Sequence, residues 1–125
     1  MSVTHPTAVR TAVADFIVDQ LDAGAGPGTI EFRTGGGTEV ATLTFDDPAF
    51  GAASAGVATA GTITDDTNAT GGTIAIAVML DSDSNEIFRC SVTATGGGGD
   101  IELTSVVVAG GGTVSLTSLT YEAMP

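Results

Sequence analysis

The chain has 125 residues and a net charge of −12, from 15 acids set against three arginines and no lysine. That length suits one domain. The charge excludes wrapping a nucleic acid or lying on an anionic membrane, because no basic stripe is present to displace counterions. Some thirty Val, Ile, Leu and Phe residues, each contributing about 1.5–3 kcal/mol when buried, support one modest core. The 18 glycines raise the entropic cost of ordering the backbone. Such a chain is expected to be marginal alone and to gain stability from self-association or a partner surface. Cys90 has no second cysteine to pair with and reads as a small strand hydrophobe. With no charged-then-apolar leader and no apolar run near 18 residues, the expected site of synthesis and folding is a cytoplasm.

In chain order, residues 1–24 read as a helix or arm. Val9, Val13, Phe16, Ile17 and Leu21 fall on one 3.6-period face, with Arg10, Asp15, Asp19 and Asp22 elsewhere. Pro6 suits the first turn, and Gly24 followed by Ala25-Gly26-Pro27-Gly28 ends the helix. An amphipathic helix packs on something: either it covers one end of a β core, or it docks on a neighbouring subunit.

From Gly28 onward the period is two and glycine punctuates. Residues 29–33 place Ile30 and Phe32 on one face. Residues 39–45 place Ala41, Leu43 and Phe45 on one face, and the short link between the two segments predicts an antiparallel pair. Asp46-Asp47-Pro48 makes a corner. Between Gly51 and Gly61 only Val57 exceeds Ala, Ser or Thr in size, so the segment reads as a close-approach surface or a loosely held loop. Residues 73–80 are apolar on both faces, which predicts a central or interface strand, and 86–94 complete a hairpin with it. Short strands follow at 101–103, 106–108 and 113–121, the last with a change of apolar phase near Ser118. Seven or eight short strands with a turn about every ten residues predict an antiparallel β-sandwich or jelly roll over 29–121. The whole chain, 1–125, is then one domain.

Catalytic apparatus is not visible. The only histidine, His5, stands at the N-terminal end of the chain, so a Ser-His-Asp or Cys90–His5 site finds little support. The pairs Asp46/Asp47, Asp65/Asp66 and Asp81/Asp83 all fall in predicted turns, where Asp bonds its own backbone. The glycine runs lack the Lys-Ser or Lys-Thr and the strand-to-helix setting of a phosphate loop. Asp81, Asp83 and Asn85 open like a calcium loop, but Glu86 and Val92 stand where glycine and a bidentate acid belong. These three residues are the only metal candidates, calcium being the one cation they suggest, and a plain hairpin turn is the preferred reading. No other cofactor is indicated.

The segment Thr42-Leu-Thr-Phe-Asp-Asp-Pro-Ala-Phe-Gly51, with the small-residue run to Ala60, resembles a family of small tailed-phage virion structural proteins. The likeness continues at Asp19-Gln-Leu-Asp-Ala-Gly-Ala-Gly-Pro-Gly-Thr-Ile-Glu-Phe-Arg-Thr34. It continues again at Leu80-Asp-Ser-Asp-Ser-Asn85, with Ser84 where that family has glycine, and at Val107-Val-Ala-Gly-Gly-Gly-Thr-Val-Ser-Leu-Thr-Ser118. The resemblance implies a non-enzymatic particle component, a capsid cement or decoration protein in preference to a tail or neck protein. On that reading the expected placement is the capsid exterior, and the expected partners are the major capsid protein and further copies of the chain, as a trimer or dimer. Expected contact residues are Val9, Val13, Phe16 and Ile17 on the helix, with Phe50 and Val57 from the small-residue segment. A carbohydrate-binding β-sandwich is the remaining alternative, though the chain offers no Trp and a single Tyr, Tyr121, for a sugar platform.

Overall fold

The first strands form because alternating apolar residues meet their partners in register. The computed structural model describes residues 3–123, so residues 1 and 2 of the expected helix or arm, and 124 and 125 of the expected domain, lie outside it. Among the described residues the chain is mainly β, with one N-terminal helix, α1 (Thr7–Asp19), and nine strands. Strands β1 (Thr29–Arg33) and β2 (Glu39–Thr44) pair antiparallel, setting Ile30 opposite Leu43 and Phe32 opposite Ala41. On its other side β1 pairs with β5 (Ile76–Leu80), setting Ile30 opposite Met79 and Phe32 opposite Ala77. Strand β6 (Glu86–Ala94) continues the sheet, with Phe88 opposite Met79 and Cys90 opposite Ala77. The expected hairpins 29–33/39–45 and 73–80/86–94 are therefore present, and 76–80 is central.

Strand β7 (Ile101–Leu103) closes the five-stranded order β2-β1-β5-β6-β7, and it runs parallel to β6. All other strand pairs are antiparallel, as expected. A parallel neighbour ordinarily needs a crossover of a dozen or more residues; here residues 95–100 suffice. The glycine run turns back flat along β6, with the Gly99 N–H donating to Thr93 Oγ1 at 3.0 Å and the Ser91 N–H to Asp100 Oδ2 at 3.1 Å. A Cβ at Gly99 would stand 2.9 Å from Thr93 Cγ2 and one at Gly97 2.7 Å from Thr93 Cβ, so side chains would push the return off the strand.

The second layer is built from fragments. Strand β3 (Val57–Thr59) pairs with β9 (Thr120–Glu122), and β4 (Gly72–Thr73) with β8 (Val107–Val108). Of the strand expected over 113–121, only 120–122 and a single bridge from Val114 to Asp66 form. The core lies between the layers. Ile30, Phe32, Leu43 and Met79 from the sheet cluster with Phe45, Phe50, Ile63 and Val114 from the covering segments. The other face of the sheet carries Arg33 paired with Glu31 and Arg89 paired with Glu86, beside the fully buried Val78. A Gly99→Ala substitution is expected to destabilise the fold by about 1–3 kcal/mol through overpacking against Thr93, read as a lower denaturation midpoint in urea with unchanged slope.

Candidate docking surface

A loop of small residues has little side chain to bury, yet its backbone N–H groups still need acceptors. Residues 49–56 meet that need through α1 and the single 3-10 turn at Gln20–Asp22 that follows it. Thr11 Oγ1 accepts from the Gly56 N–H at 3.0 Å, Asp15 Oδ1 from Ala53 at 2.7 Å and Asp22 Oδ1 from Ala49 at 2.8 Å. Ala14, Val18 and Leu21, all buried, fill the space between these acceptors. Arg10, on the same side, donates from Nη2 to Glu122 Oε1 at 3.1 Å and to the Ala123 carbonyl at 3.2 Å, while its Nε is buried without a partner. At the loop's tip Ser54 and Val57 exchange both backbone hydrogen bonds across Ala55 and Gly56. Both tip residues have positive φ, the conformation of a two-residue hairpin turn.

At about 100° per residue, Thr11, Ala14, Asp15, Val18 and Asp22 share one side of the helix, and Val9, Val13 and Phe16 lie opposite. The inward face thus mixes the acceptors Thr11, Asp15 and Asp22 with the buried Ala14, Val18 and Leu21, and a second apolar face turns outward. Val9 is 42% exposed, Val13 44% and Phe16 65%. Of the five-residue apolar stripe, for which packing on the β core and docking on a neighbour were both open, Val9, Val13 and Phe16 face outward, Leu21 is buried and Ile17 is half-buried. Beside the ridge, His5, Arg10, Val13, Ile17 and Tyr121 line a hollow of about 280 Å³. Val57 is half-buried in β3. Phe50 does not join the surface: it is 5% exposed and packs on Phe45 with ring centroids 5.6 Å apart. Phe50 lies in the core cluster, two residues after the cis Asp47–Pro48 bond.

The remaining expected sites are turn chemistry or core. Asp81 is buried, and its Oδ1 accepts from the Asp83 and Asn85 N–H groups while Oδ2 accepts from Asn85 Nδ2. The Asn85 bonds hold its carboxyl below the usual Asp range, against the opposing effect of burial. Asp83 and Asn85 are exposed, and Ser84 takes the left-handed backbone its glycine counterpart would favour. Among the described residues no group of three or more His, Cys, Asp or Glu is placed to hold a metal ion. Burial, with Asp100 nearby, pushes the Cys90 thiol up to about 11, which leaves it a poor nucleophile at neutral pH. Tyr121 is half-buried against Phe88, ring centroids 5.1 Å apart, and presents no flat platform for a sugar.

The acceptors Thr11, Asp15 and Asp22 were not singled out from sequence as functional, although their spacing on one helix face opposite an apolar stripe is legible once the small-residue loop is known to lie beneath them. No helix among the described residues is long and apolar enough to cross a membrane. Comparisons of the chain with protein-family models, curated proteins and solved structures find no match.

Two substitutions test the ladder. Asp15→Ala strands the Ala53 N–H, and a loss of about 1–2 kcal/mol is expected in chemical denaturation. Burial raises the Asp22 pKa, with repulsion from Asp47 and Asp19 adding to it and the Ala49 hydrogen bond opposing. A raised carboxyl favours the fold when protonated, so its contribution is complete below the ordinary value of 3.8 and is lost as pH rises through the folded value. Asp22→Asn keeps the acceptor without the charge. It is expected to melt higher than the parent at neutral pH, with the difference narrowing in acid, as measured by thermal scans at both pH values.

Proposed function

We propose that the chain is a non-enzymatic structural component of a tailed-phage particle: a cement or decoration protein that binds the outer surface of the major capsid lattice through the exposed face of α1. The outward ridge of Val9, Val13 and Phe16 is the observation that carries the reading. Three large side chains forgo part of the roughly 1.5–3 kcal/mol each that full burial would contribute, while the opposite face of the same helix supplies the backbone acceptors. A helix oriented this way is suited to complete its burial on another molecule.

Electrostatics selects the partner's character. Each arginine sits in an ion pair, Arg10 with Glu122, Arg33 with Glu31 and Arg89 with Glu86, so no arginine is left unpaired on a chain of net charge −12. Copies meeting through the ridge would bring like charge together, whereas a lattice surface with an apolar groove and a basic rim complements it. The family resemblance supplies the particle, and the ridge supplies the contact. High acidity keeps a protein needed in many copies dispersed until it meets the shell.

Phe16→Ser removes the centre of the ridge from a position 65% exposed. Its melting temperature is expected to stay within about 2 °C of the parent, because exposed substitutions usually change stability by less than about 0.5 kcal/mol. Its retention on purified particles is expected to fall at least tenfold, about 1.4 kcal/mol of binding. Densitometry should find the parent protein in high copy number, and a reconstruction should place it on the shell. A tail or neck location, or no copies on the particle, would sink the reading.

A further inference from the structure

Strand β5 is apolar on both faces, and the core takes only one of them. Ala77 and Met79 join the core cluster, whereas Ile76, Val78 and Leu80 stand outside it on the opposite face of the sheet. Val78 is nonetheless fully buried, with Glu31 and Arg89 on either side of it, whose long stems can lie over it. Register sets this face in three rows across β1, β5 and β6: Arg33–Ile76–Ser91, Glu31–Val78–Arg89 and Thr29–Leu80–Glu86. Neighbouring strands are about 4.8 Å apart and same-face residues about 6.8 Å, so the rows form a grid with β5 as its middle column. Beyond Ser91, the Asp100 carboxylate is held by the Ser91 N–H at 3.1 Å and hydroxyl at 3.0 Å. Glu31 and Glu86 balance Arg33 and Arg89, so the charge on these three strands is zero, on a chain whose total is −12.

We infer that this outer sheet face is a self-association surface, on which a second copy packs face to face about a two-fold axis running along β5. Rotation about that axis lays β1 of each copy over β6 of the other and keeps every row in register. Glu31 of each copy then meets Arg89 of the other, Arg33 meets Ser91 and Asp100, and Val78 meets Val78. A two-fold axis across the strands would instead set Glu31 on Glu31 and Arg89 on Arg89, so charge selects the first arrangement. The pairing inside each copy leaves groups for this contact. Arg33 Nε and Glu31 Oε1 make their pair at 2.7 Å, which leaves the Arg33 Nη groups and Glu31 Oε2 to reach across. At the rim, Glu39 accepts from the hydroxyls of Thr42 and Thr70 at 2.8 and 2.6 Å, and sheet twist carries the corners of the two faces apart. Charges outside the face are screened beyond about 8 Å at physiological salt. The helix ridge, with no charge pattern of its own, has nothing comparable to offer a second copy. The inference does not rest on the virion reading, because it follows from the register of β1, β5 and β6 alone.

The three rows supply nine residues a side, few beside the roughly 20–30 of a standard interface, so the dimer is expected to be weak. Sedimentation equilibrium of the full chain up to about 1 mM is expected to give a dimer Kd of roughly 10–200 μM. Arg89→Glu and Glu31→Arg each set like charges opposite one another and should weaken the dimer at least tenfold. Both changes in one chain set opposite charges together again, and Kd should return to within about threefold of the parent. Phe16→Ser should leave Kd unchanged, which separates this face from the helix ridge. Arg89 is 53% exposed, so its reversal leaves the fold intact, as a thermal scan would check. Should the variants at the half-buried Glu31 fail to fold, dilution of the parent asks the same question. The methyl NMR signals of Ile76 and Val78 should then shift with concentration while those of Val9 and Val13 stay fixed. A parent that remains monomeric at about 1 mM would overturn the inference. So would a folded, doubly reversed chain that dimerises no better than the single variants, or a dimer lost with Phe16→Ser.

Discussion

The constraint on which most of this structure depends is a backbone one. Beyond Phe50, which packs in the core, residues 51–56 carry almost no side chain and gain little from apolar contact, yet the N–H groups of Ala49, Ala53 and Gly56 each find a side-chain acceptor on the helical segment. Leaving a buried N–H unpaired costs about 1–3 kcal/mol, while turning the helix over would bring large apolar residues against a surface of methyl groups with little to interdigitate. Hydrogen bonding wins that comparison, and the helix rotates to serve it. Its apolar ridge faces outward as a consequence.

The same economy of side chain shapes the rest of the covering layer. Two-stranded ribbons and single bridges replace a second full sheet, so the core's upper side depends on anchors such as Phe45, Phe50, Ile63 and Val114. Glycine does the corresponding work at the other end of the sheet. Gly97 and Gly99 let the chain return flat over Thr93 and set β7 parallel to β6 within six residues.

These features divide what could be read in the sequence from what could not. The segments 29–33, 39–45, 73–80 and 86–94 read from the sequence correspond to four of the sheet's five strands, since each has an apolar partner of matching register beside it. The Asp81 turn was equally local, with an Asp collecting the N–H groups two and four residues on. Which way the helix stripe faces was not legible, because apolar periodicity marks a stripe without saying whether it packs on its own chain or on another molecule. Phe50 was misread: a lone aromatic among small residues looks like an exposed anchor, whereas its ring packs on Phe45. The parallel β7 and the fragmentary segment 113–119 depend on non-local contacts that no local pattern encodes.

Strand β9 shows how closely the parts depend on one another. Among the described residues its sheet partner is β3, three residues long, and β3 follows directly on the loop that the helix holds. Arg10 ties β9 to the helix directly, through Glu122 and the Ala123 carbonyl, and Tyr121 lines the hollow beside the helix ridge. A partly exposed ion pair alone contributes little, about 0–1 kcal/mol; the bond to the main-chain carbonyl of Ala123, just past the three-residue strand, adds geometric control. Arg10 therefore acts as a joint. The helix that presents the apolar ridge also fixes the last strand of the covering layer, and the chain's acceptor-rich helix face is what holds both in place.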